Sequence, residues 1–193
     1  MSLQETKIDF LKDLRIDDEV GFPSLDIMSE GETKYLRDLR INLKNTLASE
    51  NLTPKEAYLI ALAAAVNEKN EVLKKSFSDL ASEQGATKQE LAETHACASM
   101  LAVNNVLYRF RHFAKNETYN TTPAGIKMNV MMNPVLGKEF FELLSLIVSA
   151  LNGCETCVSS HEASLRRLGA SEARIFDAVR LASVVRGLSL AVN

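Results

Sequence analysis

Glycine, proline and net charge are all low in this sequence. Its 193 residues include 8 Gly and 4 Pro, too few for the many tight turns of an all-β sandwich or barrel. The formal net charge is −3, so the chain lacks the basic character typical of proteins that bind nucleic acid or anionic membranes. These shortages favour a helical globular protein and argue against both binding classes.

Cysteine is also scarce, and the chain does not open on an apolar run. Three cysteines are too few, and odd in number, for the disulfide framework of a small secreted domain. The start MSLQETKIDF is polar and charged, unlike a secretory signal peptide, so we expect a cytoplasmic protein. In a reducing compartment, a C-x-x-C pair is more often catalytic or metal-binding than structural.

Apolar residues recur at helical spacing along most of the chain, 46% of which is hydrophobic. Capping boxes that begin at Thr53 and Thr87 predict helix starts, and Gly85 and Gly169 predict helix ends. The helix after Thr53 is nearly all apolar but too short to span a bilayer, so we predict a core helix. We also predict a short first helix broken at residues 21–23, a helix at about 33–50 and an irregular connection over 115–138.

The two halves of the chain share a pattern of turns. The segments Gly85-Ala86-Thr87 and Gly169-Ala170-Ser171 lie 84 residues apart. This offset predicts a duplicated three-helix unit in which each copy covers the apolar face of the other. We therefore predict a single all-α domain over 1–193, composed of an N-terminal helical extension, a first repeat and a second, catalytic repeat at 1–50, 56–110 and 139–190.

Only the second repeat carries a redox motif, Cys154-x-x-Cys157, with His161 four residues later. If a helix begins near residues 152–153, all three side chains share one face. Thiols one turn apart can close a small disulfide ring, and the helix N-terminus favours a thiolate at Cys154. His161 can take or return a proton near neutral pH.

The main alternative for this motif is a zinc site. Two cysteines and a histidine offer three ligands, and Glu155, Glu162 or a residue of another chain could supply a fourth. Structural zinc usually has four ligands, and the chain has no second C-x-x-C, so we predict no metal site. We interpret the third cysteine, Cys97, as a small hydrophobic core residue because it falls on the apolar face of its helix.

With Glu142 twelve residues before Cys154, the motif resembles that of the alkylhydroperoxidase D (AhpD) family, within the carboxymuconolactone decarboxylase-like superfamily. The resemblance extends over residues 35–190 and includes three specific segments, NNVLYRFRHF (104–113), IKMNVMMNP (126–134) and FELLSLIVSALNGCETCVSSHEASLRRLGAS (141–171). In the first of these we expect Asn104, Asn105, Tyr108 and Arg109 to pack and to form hydrogen bonds between repeats or subunits. In the second we expect Met128, Met131 and Met132 to fill gaps in a core or interface.

The resemblance implies an all-α fold, a homotrimer and the thiol-dependent reduction of organic hydroperoxides in antioxidant defence. It further implies an AhpC-type peroxiredoxin as the partner that is reduced, and a lipoyl-bearing protein as the source of electrons. Dihydrolipoamide would then be the electron donor, with no tightly bound cofactor.

The resemblance also implies a role for each residue of the motif. Cys157 would be the attacking thiol, Cys154 the resolving thiol and proton donor, and the two would form the redox disulfide. His161 would act as the base, and Glu142 would orient it or relay its proton. The helix-dipole argument alone favours Cys154 as the attacking thiol, and the resemblance favours Cys157. Family members often carry His where this chain has Thr156, so a relay through a second imidazole is absent here.

A second class of function stays open at this point. A non-redox decarboxylase-like enzyme, or a small-molecule-binding module, could use the same helical frame. The presence of both cysteines together with His161 and Glu142 favours the redox enzyme.

Overall fold

The computed structural model describes residues 2–193, which form α-helices, one 3-10 turn and no β-strand. The described helices are α1 (Leu3–Asp13), α2 (Pro23–Glu30), α3 (Tyr35–Leu47), α4 (Pro54–Asn67), α5 (Glu71–Glu83), α6 (Lys88–Ala114), α7 (Glu117–Thr121), α8 (Lys138–Leu151), α9 (Glu155–Arg167) and α10 (Glu172–Ala191), with the 3-10 turn at Asn129–Met131. The predicted all-α fold is confirmed.

The predicted helix signals lie where the sequence places them. Thr53 caps α4 and Thr87 caps α6, and each forms a complete capping box with the glutamate three residues later. Gly85 follows α5 and Gly169 follows α9, both with positive φ (+87° and +90°), the conformation that glycine adopts most readily after a helix.

The N-terminal extension contains a helix that the sequence did not predict. Residues 21–23 are expected to break the first helix, and α1 already ends at Asp13, but Pro23 is also the first residue of α2. Proline fits this position because the first turn of a helix needs no N–H from it, and Leu25 anchors the short helix by being fully buried. The predicted helix at 33–50 is confirmed in a shorter form, α3, and the irregular connection contains the one-turn helix α7.

Two helices, α4 and α8, form the centre of the fold. They contact each other and both contact α6 and α10, while α5 packs on α4 and α9 packs on α8 and α6. Eight of the 14 residues of α4 are buried, which confirms the predicted core helix. Helices α1 to α3 cover one side of this core, where α3 packs against α10.

The central helices keep a constant register. Helices α8, α9 and α10 begin 84 residues after α4, α5 and α6 respectively. The junctions match as well, since Lys69 and Gly153, also 84 residues apart, both adopt positive φ between consecutive helices. This is the register expected of a duplicated unit. It places Asn70, the N-cap of α5, at the position that Cys154 occupies before α9.

A partly buried charge cluster joins the starts of three core helices. The Arg174 guanidinium in α10 donates to Glu56 in α4 (2.6 Å) and to Glu139 in α8 (2.9 Å). The side chains of Arg174 and Glu56 are only 18% and 19% exposed. Burial alone would raise the pKa of Glu56, but hydrogen bonds from Arg174 and Thr53 outweigh it and hold that pKa below its ordinary value.

We predict that Arg174→Met lowers the free energy of unfolding by about 2–4 kcal/mol at neutral pH, because both carboxylates lose their cation while partly buried. The lowered pKa of Glu56 gives a stabilisation that is present above the ordinary glutamate pKa of about 4.3 and is lost as the pH falls through the folded value. The difference in the free energy of unfolding between the variant and wild type should therefore be smaller in acid. Urea titrations at neutral and acid pH would measure it.

A matched control for this prediction is Arg180→Met on the same helix. Arg180 pairs with Asp177, but its side chain is 48% exposed, so the change should alter stability by less than about 0.5 kcal/mol. If Arg174→Met lowers the free energy of unfolding equally at neutral and acid pH, the loss of stability does not have an electrostatic origin.

Candidate active site

The redox motif begins at the sharp junction between α8 and α9. Gly153 has a φ of +66°, and its N–H donates to the carbonyl of Ala150 (3.1 Å). The next N–H, that of Cys154, donates to the carbonyl of Ser149 (3.0 Å). This pair of bonds is a Schellman motif, which closes α8 and lets α9 start two residues after the glycine.

The start of α9 corrects one prediction. The helix begins at Glu155 rather than near residues 152–153, and Cys154 is its N-cap, with an extended backbone (φ −96°, ψ 92°). The Schellman turn at Gly153 causes this difference because it uses the N–H of Cys154 to end the preceding helix. Cys154 therefore precedes the helical face that Cys157 and His161 share.

The position of Cys157 also changes the helix-dipole argument. It is the third residue of α9, so both cysteines lie within the first turn of the helix, where unpaired N–H groups favour a negative charge. The dipole consequently favours a thiolate at either position and no longer selects Cys154.

Cys154 and Cys157 form a disulfide bond, with their Cα atoms 5.3 Å apart. Cys154 is completely buried, whereas Cys157 keeps 7% of its surface exposed. The Cys154 sulfur lies 3.7 Å from the hydroxyl oxygen of Thr156. The two thiols thus differ in access, and Cys157 is the one that borders a pocket.

Glu142 and His161 meet across the two helices. The Nδ1 atom of His161 in α9 lies 2.7 Å from Oε2 of Glu142 in α8, and the two side chains are 12% and 14% exposed. A carboxylate can only accept, so this bond assigns the proton to Nδ1 and leaves Nε2 as the basic nitrogen. The structure therefore pairs Glu142 with His161, which lies one helical turn after Cys157 on α9.

A pocket of about 280 Å³ opens beside Cys157, and we call it the thiol pocket. It is lined by side chains from α6, α9 and the connection between α7 and α8, namely Leu101, Asn104, Tyr108, Met128, Met131, Thr156, Cys157, Ser160 and His161. Its wall is mostly apolar.

The sequence did not predict that Asn104, Tyr108, Met128 and Met131 would line this pocket. One available signal was the spacing of Leu101, Asn104 and Tyr108, which places them on a single face of α6.

The expected hydrogen bonding between repeats is confirmed for the other two residues of that segment. Asn105 Nδ2 donates to Ser149 Oγ (3.0 Å), and its Oδ1 accepts from Asn152 (2.9 Å). Arg109 donates to the carbonyl of Asn152 (2.6 Å). These bonds tie the middle of α6 to the end of α8.

The third cysteine lies in the core, as predicted. Cys97 is fully buried, with its sulfur 3.6 Å from the hydroxyl of Ser145, and burial raises the pKa of its thiol to about 12. It is therefore a poor nucleophile.

The described chain has neither a metal-binding cluster nor a helix that could span a membrane. Residues 2–193 contain no group of three His, Cys, Asp or Glu side chains placed to hold a metal ion. None of the described helices is long and apolar enough to cross a membrane.

Comparison with known proteins shows the family to which this chain is similar. The model of the carboxymuconolactone decarboxylase family matches residues 119–193, which include the whole motif. A protein from Rhodopseudomonas palustris named alkyl hydroperoxide reductase AhpD is 38% identical over 170 residues, 88% of this chain and 93% of the relative. The chain belongs to the AhpD family.

Other AhpD proteins are similar to this chain over the same length. That of a Bradyrhizobium species is 36% identical over 88% of this chain and 93% of its own. That of Brucella canis is 36% identical over 88% of this chain and 97% of its own. The similarity therefore covers the core helices as well as the motif of this AhpD-family protein.

Proposed function

We propose that the protein is a thiol-dependent alkyl hydroperoxide reductase. The observation that carries this proposal is the thiol pocket, which places Cys157 beside His161, with Cys154 bonded to Cys157 and Glu142 holding the imidazole. A nucleophile, a base and a group that orients the base form the usual arrangement for activating a thiol. The names of the relatives support the same reaction class.

The proposed cycle starts from the reduced pair. His161 Nε2 takes the proton of the Cys157 thiol, and the thiolate attacks the terminal oxygen of the hydroperoxide. The O–O bond breaks as the S–O bond forms, which leaves a sulfenic acid on Cys157 and an alkoxide. The alkoxide takes the proton from His161 and leaves as the alcohol.

The second step closes the disulfide. The Cys154 sulfur attacks the Cys157 sulfur, the S–O bond breaks, and the hydroxyl group leaves as water with the proton of the Cys154 thiol. Cys154 is completely buried and bonds to Cys157 in the oxidised pair, so it can resolve the sulfenic acid without exposure to solvent. We assign Cys157 as the attacking thiol because it borders the pocket and Cys154 does not.

Two electrons must then reopen the disulfide. We propose that dihydrolipoamide, carried by a lipoyl-bearing protein, supplies them by thiol–disulfide exchange. By a second thiol–disulfide exchange, the reduced pair would then reduce the disulfide of an AhpC-type peroxiredoxin. No tightly bound cofactor is needed for either reaction.

We propose a homotrimer for the assembly. Its support is a row of exposed apolar side chains along one side of the second half of α6, Val103, Val106, Phe110 and Phe113. Two of these, Val106 and Phe113, are 61% and 70% exposed, which is unusual for large apolar residues that face only water.

The direct test is the consumption of cumene hydroperoxide by the wild-type protein with dihydrolipoamide as reductant. We expect sustained turnover and the appearance of one alcohol for each dithiol oxidised. If the reduced protein consumes no hydroperoxide even in stoichiometric amounts, while its thiols react with a simple disulfide, the proposal is wrong. The protein would then be either a disulfide reductant that acts only on a partner such as a peroxiredoxin, or a non-redox enzyme or binding module.

A further inference from the structure

Two consecutive asparagines of α6 are both buried but differ in their hydrogen bonds. Asn105 is 1% exposed, and its amide both donates and accepts. Asn104 is 5% exposed, and its Oδ1 atom is the one buried side-chain nitrogen or oxygen of residues 2–193 without a hydrogen-bond partner in the protein. A buried polar atom without a partner lowers the stability of the fold by roughly 1–3 kcal/mol, so the unpaired Oδ1 of Asn104 requires an explanation.

The orientation of the Asn104 amide follows from its neighbour. Its Nδ2 lies 2.9 Å from the sulfur of Met128. A thioether sulfur can only accept a hydrogen bond, so the NH₂ group faces it and the carbonyl oxygen faces away from it. Asn104 lines the thiol pocket together with Cys157 and His161, and its Oδ1 atom is a buried acceptor that lacks a donor.

We propose that Asn104 Oδ1 binds the terminal O–H of the organic hydroperoxide. This inference rests on the proposed function and adds a substrate-binding residue to it. The pocket, at about 280 Å³, is at the lower end of small-ligand sites and is walled by apolar groups such as Leu101 and Met131. An alkyl hydroperoxide has a matching composition, an apolar body with a single hydrogen-bond donor at its reactive end.

The hydrogen bond also suits the chemistry. The oxygen that carries the O–H is the oxygen that the Cys157 thiolate attacks, so Asn104 would hold the atom that reacts. That O–H bond does not break when the S–O bond forms, and the sulfenic acid can keep the same hydrogen bond. Asn104 would therefore bind the substrate and the sulfenic acid intermediate alike and would act on substrate capture rather than on the chemical step.

The test compares Asn104→Leu with Asn105→Leu, two adjacent changes of the same kind. Each reduced protein is oxidised in single turnover by cumene hydroperoxide and, separately, by 4,4′-dithiodipyridine, a disulfide with no hydrogen-bond donor. For Asn104→Leu we expect the second-order rate constant with the hydroperoxide to fall about 10-fold, the effect of one neutral hydrogen bond. The rate with the disulfide should stay within about twofold of wild type.

The melting temperatures of the variants distinguish a substrate-binding role of Asn104 from a structural role. Asn104→Leu removes an unpaired acceptor, so its melting temperature should equal or exceed that of wild type, whereas Asn105→Leu leaves Ser149 and Asn152 unpaired and should lower it. Asn104→Ala serves the same purpose if the leucine does not fit. Unchanged hydroperoxide rates, or equal slowing with both oxidants, would overturn the inference alone. A wild-type protein that reacts with the disulfide but not with the hydroperoxide would overturn the proposed function and this inference together.

Discussion

Replacing Cys157 with serine should reduce hydroperoxide turnover by more than about 1,000-fold, the scale on which loss of the nucleophile slows covalent catalysts. A serine hydroxyl is far less nucleophilic than a thiolate, and Cys154 is fully buried, so it cannot take over the attack from the pocket. The measurement is the rate of cumene hydroperoxide consumption with dihydrolipoamide in excess.

Cys154→Ser should also stop turnover, but in a different way. Cys157 still borders the pocket in that variant, so one equivalent of hydroperoxide should be consumed and leave a sulfenic acid on Cys157, which mass spectrometry after trapping with a dimedone-type reagent would detect. Adduct formation on Cys154 in the Cys157→Ser variant, with none in the reverse variant, would contradict the assignment of the attacking thiol.

Cys97→Ala provides the control for both variants. Cys97 is buried in the core, its pKa is raised to about 12, and it lies outside the residues that line the thiol pocket. Its removal should leave turnover unchanged and cost about 1 kcal/mol of stability at most, because only a small side chain is shortened. A large loss of activity in this variant would show that the reaction also depends on a cysteine outside the motif.

Local signals explain why much of the fold could be predicted from sequence. The start of α4 at Thr53 and Pro54 and the end of α5 before Gly85 depend on residues a few positions apart, so the chemistry that sets them is visible in the chain. Helix α2, which the sequence did not predict, also begins at a local signal, but proline both ends and begins helices, and only the burial of Leu25 decides between the two.

The motif residues could be found because they lie close together in the chain, whereas the pocket could not. Cys157 and His161 are one turn apart on α9, but Leu101 and Asn104 come from α6, and Met128 comes from a connection without regular periodicity. Their meeting depends on how α6 packs against α9, which no local pattern encodes. The missing partner of Asn104 is likewise a property of the folded chain, since its neighbour Asn105 has the same side chain but forms hydrogen bonds through both its nitrogen and its oxygen.

His161→Ala should slow the oxidation of the reduced pair by hydroperoxide by about 100-fold to 10,000-fold, the usual contribution of a positioned acid–base group. In the proposed cycle this side chain both removes the thiol proton and returns it to the alkoxide. In the variant, solvent would have to carry out both proton transfers. The loss should therefore lessen as the pH is raised, because hydroxide then forms the thiolate, and added imidazole should restore part of the rate. Single-turnover rates measured across pH would show this.

Glu142→Gln tests the group that holds the imidazole. A glutamine can still accept from Nδ1 at the 2.7 Å position, so we expect a smaller loss than in His161→Ala, with a change in the pH profile because the ring is no longer paired with a carboxylate. Glu162→Gln is the matched control, since Glu162 follows His161 directly on α9 but is exposed. If both glutamine variants behave alike, the 2.7 Å contact has no part in the reaction, and the relay would reduce to His161 acting alone.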